Sequence, residues 1–206
     1  SDDMDPVERL MIHEGTALIY PLSAIGAHVP DSPNHIVGRV SPFDTRGVVA
    51  CQGSFGYELD ITRIDPAEVD KIPGQIASYK KYASLIQDGD YYRLSSYGAN
   101  HRMDAYQLVS KDKDRSVLAY VQVLGRPNAK ADVIRLKGLD PGREYTVRLK
   151  RPGCEEGETG SDQEEEYIND GKTFSGSTLM NAGLIMPRLK GDCQAVWIEL
   201  TIFPNS

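Results

Sequence analysis

Apolar positions fall at helical spacing in the first part of the chain and at strand spacing in the second. Asp5-Pro6-Val7-Glu8 has the signature of a helix start: an acid to cap, proline at the first helical position, and an acid three residues after the cap. Behind it, Val7, Leu10, Met11 and Leu18 mark one face of a helix running to about Ile19. Leu22 to Ala27 is a short apolar run suited to a buried parallel strand, with a loop from His28 to His35. Ser41-Pro42-Phe43-Asp44 repeats the start signal, with Ser41 as the expected cap, and Tyr57 to Ile61 is the next expected strand. The third start is Asp65-Pro66-Ala67-Glu68. Val69, Ile72, Ile76, Tyr79, Ala83 and Ile86 then trace a helical face that Pro73 should kink. Helix, strand, helix, strand, helix with short connections indicates βα units on a parallel sheet.

The pattern changes near Gly89 to Tyr91. Tyr91–Leu94, Ala105–Val109, Val117–Leu124, Ile134–Leu136, Tyr145–Leu149 and Ala195–Phe203 have strand character, separated by turns such as Gly138 to Gly142. The expected architecture is therefore α/β over residues 1–90, followed by an antiparallel β-sandwich over residues 91–206. Nothing resembling a linker separates the two parts, so a shared packed interface is expected.

The chain is 40% hydrophobic and 26% charged, an ordinary globular balance, and no apolar run reaches transmembrane length. Glu155, Glu156, Glu158, Asp162, Glu164, Glu165 and Glu166 account for the net charge of −7. A Gly-rich acidic stretch of this kind is expected to be a solvated loop, with a cation site as the alternative. No basic patch points to nucleic acid. Cys51, Cys154 and Cys193 are odd in number and widely spaced, which argues against a zinc site or a disulfide framework, and the chain has no Asn-x-Ser/Thr acceptor. These features favour a reducing, cytoplasmic location.

Three acids, Asp2, Asp3 and Asp5, crowd the start of the first helix. By spacing alone they cap and solvate a helix terminus. In a β/α protein the same loop lies at a strand's carboxyl end, where catalytic groups gather. Other residues also carry two readings. His28 and His35 suit a site rim or a metal, but no third ligand falls at useful spacing, so a structural role is expected. Trp197 and Tyr91-Tyr92 suit sugar stacking or core packing, and core packing is expected for Trp197. Glu58 and Asp60 fit a barrel mouth or a half-buried strand equally. Gly53 and Gly56 lack the rest of any phosphate-binding fingerprint.

Ordered segments along the whole chain resemble the carboxyl-terminal part of bacterial α-galactosidases of glycoside hydrolase family 36. They are Ser1-Asp2-Asp3-Met4-Asp5 with Val7-Glu8-Arg9-Leu10, Tyr20 to Val29, Pro33-Asn34-His35, Gly38-Arg39-Val40, Thr45-Arg46-Gly47, Phe55 to Asp60, Leu85 to Asp90, Leu136 to Pro141 and Phe174 to Asn181. The resemblance implies the last βα units of a (β/α)8 barrel and the antiparallel domain behind it, in a protein that begins upstream of Ser1. It implies that the Ser1-Asp2-Asp3 loop carries the general acid/base, assigned to Asp2. Asp3 competes for that role and is also a candidate substrate contact; Asp5 is better explained as a cap. Met4 departs from the threonine common at its position.

Retaining glycosidases use two carboxyl groups about 5–5.5 Å apart. The family's nucleophile lies on an earlier strand, so this chain by itself is expected to be inactive. The implied substrates are α-galactoside oligosaccharides of the melibiose and raffinose type. No cofactor, metal, nucleic acid or membrane partner is implied. The alternatives are an α-N-acetylgalactosaminidase, a galactosyl-transferring enzyme, or a non-catalytic packing or glycan-binding module. An incomplete barrel should also expose apolar surface and associate, to a homo-oligomer among other forms.

Overall fold

The computed structural model describes residues 2–151 and 167–203. The acidic stretch from Glu155 to Glu166, and Cys154, lie outside the described residues.

The chain opens with α1 (Pro6–Ala17), capped by Asp5, whose carboxylate accepts the Glu8 N–H. Val7 and Leu10 are buried as the spacing requires, but the helix stops at Ala17 and Leu18 is 67% exposed. Pro21 then starts a single 3-10 turn over Leu22–Ala24, so the expected strand moves downstream to β1 (Gly26–Pro30). β1 pairs in parallel with β2 (Ser54–Glu58), which begins three residues before the expected strand. Between them lies α2 (Phe43–Ala50). Ser41 is not its cap: Pro42 holds that position, while the Ser41 N–H donates to Ser32 Oγ and its carbonyl accepts from Arg46.

The third start signal yields two helices, α3 (Pro66–Val69), capped by Asp65, and α4 (Ile72–Asp88). Pro73 does not kink a helix. It lies in the first turn of α4, where a missing N–H costs nothing. The buried face of α4 is Gln75, Tyr82, Leu85 and Ile86, which is rotated from the expected stripe; of that stripe only Ile86 is fully buried.

The second part is built on a six-stranded antiparallel sheet. Its strands are β3 (Asp90–Ser95), β4 (Met103–Val109), β5 (Arg115–Gln122), β7 (Glu144–Lys150), β8 (Thr173–Ser175) and β10 (Gln194–Ile202), in the order β3-β4-β5-β10-β7-β8. A short helix, α5 (Tyr97–Asn100), bridges β3 and β4. The elements β6 (Val133–Ile134), β9 (Leu184–Ile185) and α6 (Gly176–Asn181) complete the part. β6 and β9 form a two-stranded ribbon, much smaller than the main sheet.

Both faces of the central strands are buried, which is why β4 and β5 are nearly continuous apolar runs. On one face, Tyr106, Leu108, Val117, Ala119, Val121 and Trp197 join a core with Val7 and Leu10 of α1, Val48 and Val49 of α2, and Tyr82, Leu85 and Ile86 of α4. On the other, Leu118, Tyr120, Val147, Val196 and Ile198 pack with Ile134, Leu179 and Leu184. The helices and the sheet thus share one core, as the missing linker implied. Trp197 lies in that core at 2% exposure and meets Tyr82 edge-on with ring centroids 5.2 Å apart. Tyr92 lies over Gly138, whose φ of +71° suits glycine and where a Cβ would fall 2.5 Å from the tyrosine ring.

Arg46 of α2 is 1% exposed at its side chain. It donates to the carbonyls of Ser41 (3.2 Å) and Pro30 (2.6 Å) and to Glu68 (2.7 Å), tying the carboxyl end of β1 to the start of α3. Arg46→Met leaves those acceptors without their donor. The expected loss is about 3 kcal/mol, read as a lower denaturant midpoint with an unchanged slope.

Candidate active site

The acid run, β1 and β2 meet at one place. Asp3 accepts the Asp5 N–H at 2.8 Å. Asp5 is buried; its second oxygen caps Glu8 and pairs with Arg39 from the loop after β1. Burial raises the Asp5 carboxyl above its ordinary value, against the pull of the Glu8 N–H and Arg39. Asp5 is therefore the cap, as expected, and also the anchor of the β1 loop. Asp2 is exposed and has no hydrogen-bond or ion-pair partner among the described residues.

Arg9 extends from the second turn of α1 into the same space. Its Nε donates to His13 Nε2 at 3.1 Å and its Nη2 donates to the carbonyl of Gly26. The carbonyl of Ile25 is taken from the β2 side by the Ser54 N–H, so that of Gly26 points to the other edge of β1. The guanidinium thus fills the open edge of the parallel pair. Burial lowers the Arg9 pKa, opposed by the charges of Asp3 and Glu58. His13 is pushed down to about 3, first by burial and then by Arg9, so it is neutral and free to accept.

His28 and Glu58 stand on the same side of the strand pair, with Nδ1 3.5 Å from Oε2. Gly56 lies opposite His28, and a Cβ there would come within 3.2 Å of the imidazole, which explains the glycine without any phosphate. Asp3, Arg9, His28 and Glu58 are thereby brought into one polar cluster. His35 and Asp60 are not part of it. His35 is exposed, and Asp60 closes a turn by accepting from the Thr62 N–H and hydroxyl. Among the described residues no three His, Cys, Asp or Glu side chains gather as a metal site. Tyr91 is half-buried and accepts from Gln52, an interior contact rather than a platform for a sugar.

The sequence assigned no role to Arg9, His13 or Arg39, although Arg9 and Arg39 lie in segments that resemble the family. One signal was available: a cation near a helix start opposes the macrodipole, so Arg9 needed a nearby acid to hold it.

A sequence profile described as Melibiase matches residues 1–89, and one described as the glycosyl hydrolase family 36 C-terminal domain matches residues 103–200. The chain belongs to glycoside hydrolase family 36. Among its relatives in that family, alpha-galactosidase AgaA of Geobacillus stearothermophilus is 47% identical over 148 residues, covering 71% of this chain and 20% of that protein. The bifunctional alpha-galactosidase/sucrose kinase AgaSK of Mediterraneibacter gnavus is 36% identical over 201 residues, covering 98% of this chain and 19% of that protein.

Solved family 36 structures superpose closely. The alpha-galactosidase AgaB of G. stearothermophilus gives a TM-score of 0.84 at 39% identity, covering 98% of this chain and 25% of that one. A variant of AgaA in complex with raffinose gives 0.84 at 37% identity, with the same coverage. The chain thus spans a fifth to a quarter of the family 36 proteins it matches.

Proposed function

We propose that this chain is the carboxyl-terminal portion of a retaining α-galactosidase, with Asp2 as general acid/base. Residues 1–90 would complete a (β/α)8 barrel, and the sheet from residue 91 would be its carboxyl-terminal domain. One observation carries the choice of acid. Of the three carboxylates at the helix start, Asp3 holds a backbone N–H and Asp5 is buried as cap and anchor, while Asp2 stands exposed with no partner among the described residues. A proton donor must be free to reach a substrate oxygen.

In this reading a carboxylate upstream of Ser1 attacks the anomeric carbon, Asp2 protonates the departing oxygen, and Asp2 then deprotonates the water that releases the sugar. A general acid of this kind must arrive protonated. Substrates are terminal α-galactosides of the raffinose and melibiose type, supported by the names and bound sugars of the relatives. The exposed Leu18, Ile19, Tyr20, Ile36, Val37 and Val40 are then surface that the remainder of the protein, or a second copy, covers. Cys51 and Cys193 are buried free thiols, which agrees with a cytoplasmic protein.

The test joins this chain to its natural upstream segment and assays raffinose, melibiose and an α-N-acetylgalactosaminide. The joined protein is expected to release galactose and the chain alone to release none. Preference for the N-acetylated sugar, or turnover by the chain alone, overturns the reading.

A further inference from the structure

The helix that carries the acid loop rests on the sheet through a buried junction of carboxylates. Glu14, on α1, is 9% exposed. Its Oε1 lies 3.0 Å from Arg93 Nη1 of β3, and its Oε2 accepts the Ser96 hydroxyl at 2.6 Å. Asp104, on β4, is 5% exposed and accepts the Tyr97 N–H at 3.0 Å. Asn100 donates to the Met103 carbonyl at 2.9 Å, and Gly98 lies against the Met11 side chain. The turn of α5 is thereby fastened to β4 on one side and to α1 on the other. Beside it, Gln52 donates to the Tyr91 hydroxyl at 3.1 Å, linking the end of α2 to β3.

The groups at this junction are Glu14 from α1, Tyr91 and Arg93 from β3, Tyr97 from α5, and Asp104 and Tyr106 from β4; behind them, Gln52 meets Tyr91 and His13, and Cys51 meets Tyr106. Arg93 is the cation that acts on Asp104 and pairs with Glu14, and His13 is neutral. The guanidinium thus pairs with Glu14 and reaches Asp104 through its charge alone.

We propose that Glu14 and Asp104 are positioning residues, which hold α1 and its acid loop against the sheet while the junction carries a single negative charge and release it when both ionise. This rests on the reading of Asp2 as acid/base. Burial, reinforced by the charge of Glu14, pushes Asp104 up to about 7, against the Tyr97 N–H and Arg93. With its pKa raised in the folded state, Asp104 favours the fold fully below its unfolded value near 4, and this contribution is lost as pH rises through about 7.

The experiment uses the whole protein with Asp104→Asn, which keeps an oxygen for the Tyr97 N–H and removes the charge. Glu14→Gln serves as a second variant with the same expected direction. For a galactoside whose leaving group needs protonation, the alkaline limb of kcat/KM is expected to move up by about half a unit or more. For an activated aryl galactoside the limb should move less. The variant's melting temperature should match wild type near pH 4 and exceed it increasingly up to about pH 7. A melting gap with unmoved limbs for both substrates would show a purely structural junction and overturn the proposal. If the wild type lacks α-galactosidase activity, the functional reading fails separately. Amide protection over residues 6–17, taken relative to the base-catalysed intrinsic rate, then decides: lower protection at pH 8 than at pH 6 in wild type but not in the variant supports the junction, and equal behaviour overturns it.

Discussion

In the whole protein, Asp2→Asn lowers kcat/KM on raffinose by roughly 10²–10⁴-fold, the range that general acid catalysis contributes. The same change costs far less on an aryl galactoside with a good leaving group, because that oxygen departs without a proton. The contrast between the two substrates separates lost proton transfer from a damaged fold, which would slow both alike. Asp3→Asn is the control. Its amide oxygen still accepts the Asp5 N–H, so the loop keeps its shape and rates should stay within about tenfold of wild type. If Asp3→Asn instead shows the leaving-group-dependent loss and Asp2→Asn does not, the acid is Asp3. The measurement is steady-state kinetics on the two substrates across pH.

Trp197→Ala is expected to cost about 3–5 kcal/mol, the usual range for emptying a large aromatic site in a core. β10 is hydrogen-bonded to β5 on one side and β7 on the other, so the backbone around Trp197 cannot easily collapse into the vacated space. The indole is also what α4 rests on, through its edge-on contact with Tyr82. Because one core contains side chains from α1, α2, α4 and the sheet, the loss falls on both parts at once. The melting temperature should drop by on the order of 10 °C, with helix and sheet signals falling together. Trp197→Phe refills much of the volume and should cost clearly less. Separate melting of the helices and the sheet in the wild type would contradict a shared core.

The three helix starts were legible because their signal is local. Asp5-Pro6 and Asp65-Pro66 cap as their spacing says, and each carboxylate needs only the next few N–H groups. Ser41 failed for an equally physical reason. Its backbone was already engaged by Ser32 and Arg46, partners nine residues behind and five ahead. The rotation of α4 could not be read from periodicity. Ile72, Ile76 and Ala83 make a sound apolar stripe, yet Gln75 is drawn inward by the Phe43 carbonyl and the Tyr57 hydroxyl, and Tyr82 by Trp197.

The sequence alone determined that acids crowd the start of the first helix, that βα units give way to antiparallel strands near residue 90, and that Trp197 is interior. Each follows from composition or spacing within a few residues. Only the tertiary structure showed which distant groups these acids meet. Asp5 is held by Arg39, thirty-four positions away, and Asp3 and Glu58 act on Arg9 from six positions before it and forty-nine after it. It alone showed that Glu14 pairs with Arg93 while Asp104, ninety residues further on, is buried against the Tyr97 N–H. A charge's role depends on which distant charge or carbonyl is buried beside it, and in a sequence neither distance nor burial is written.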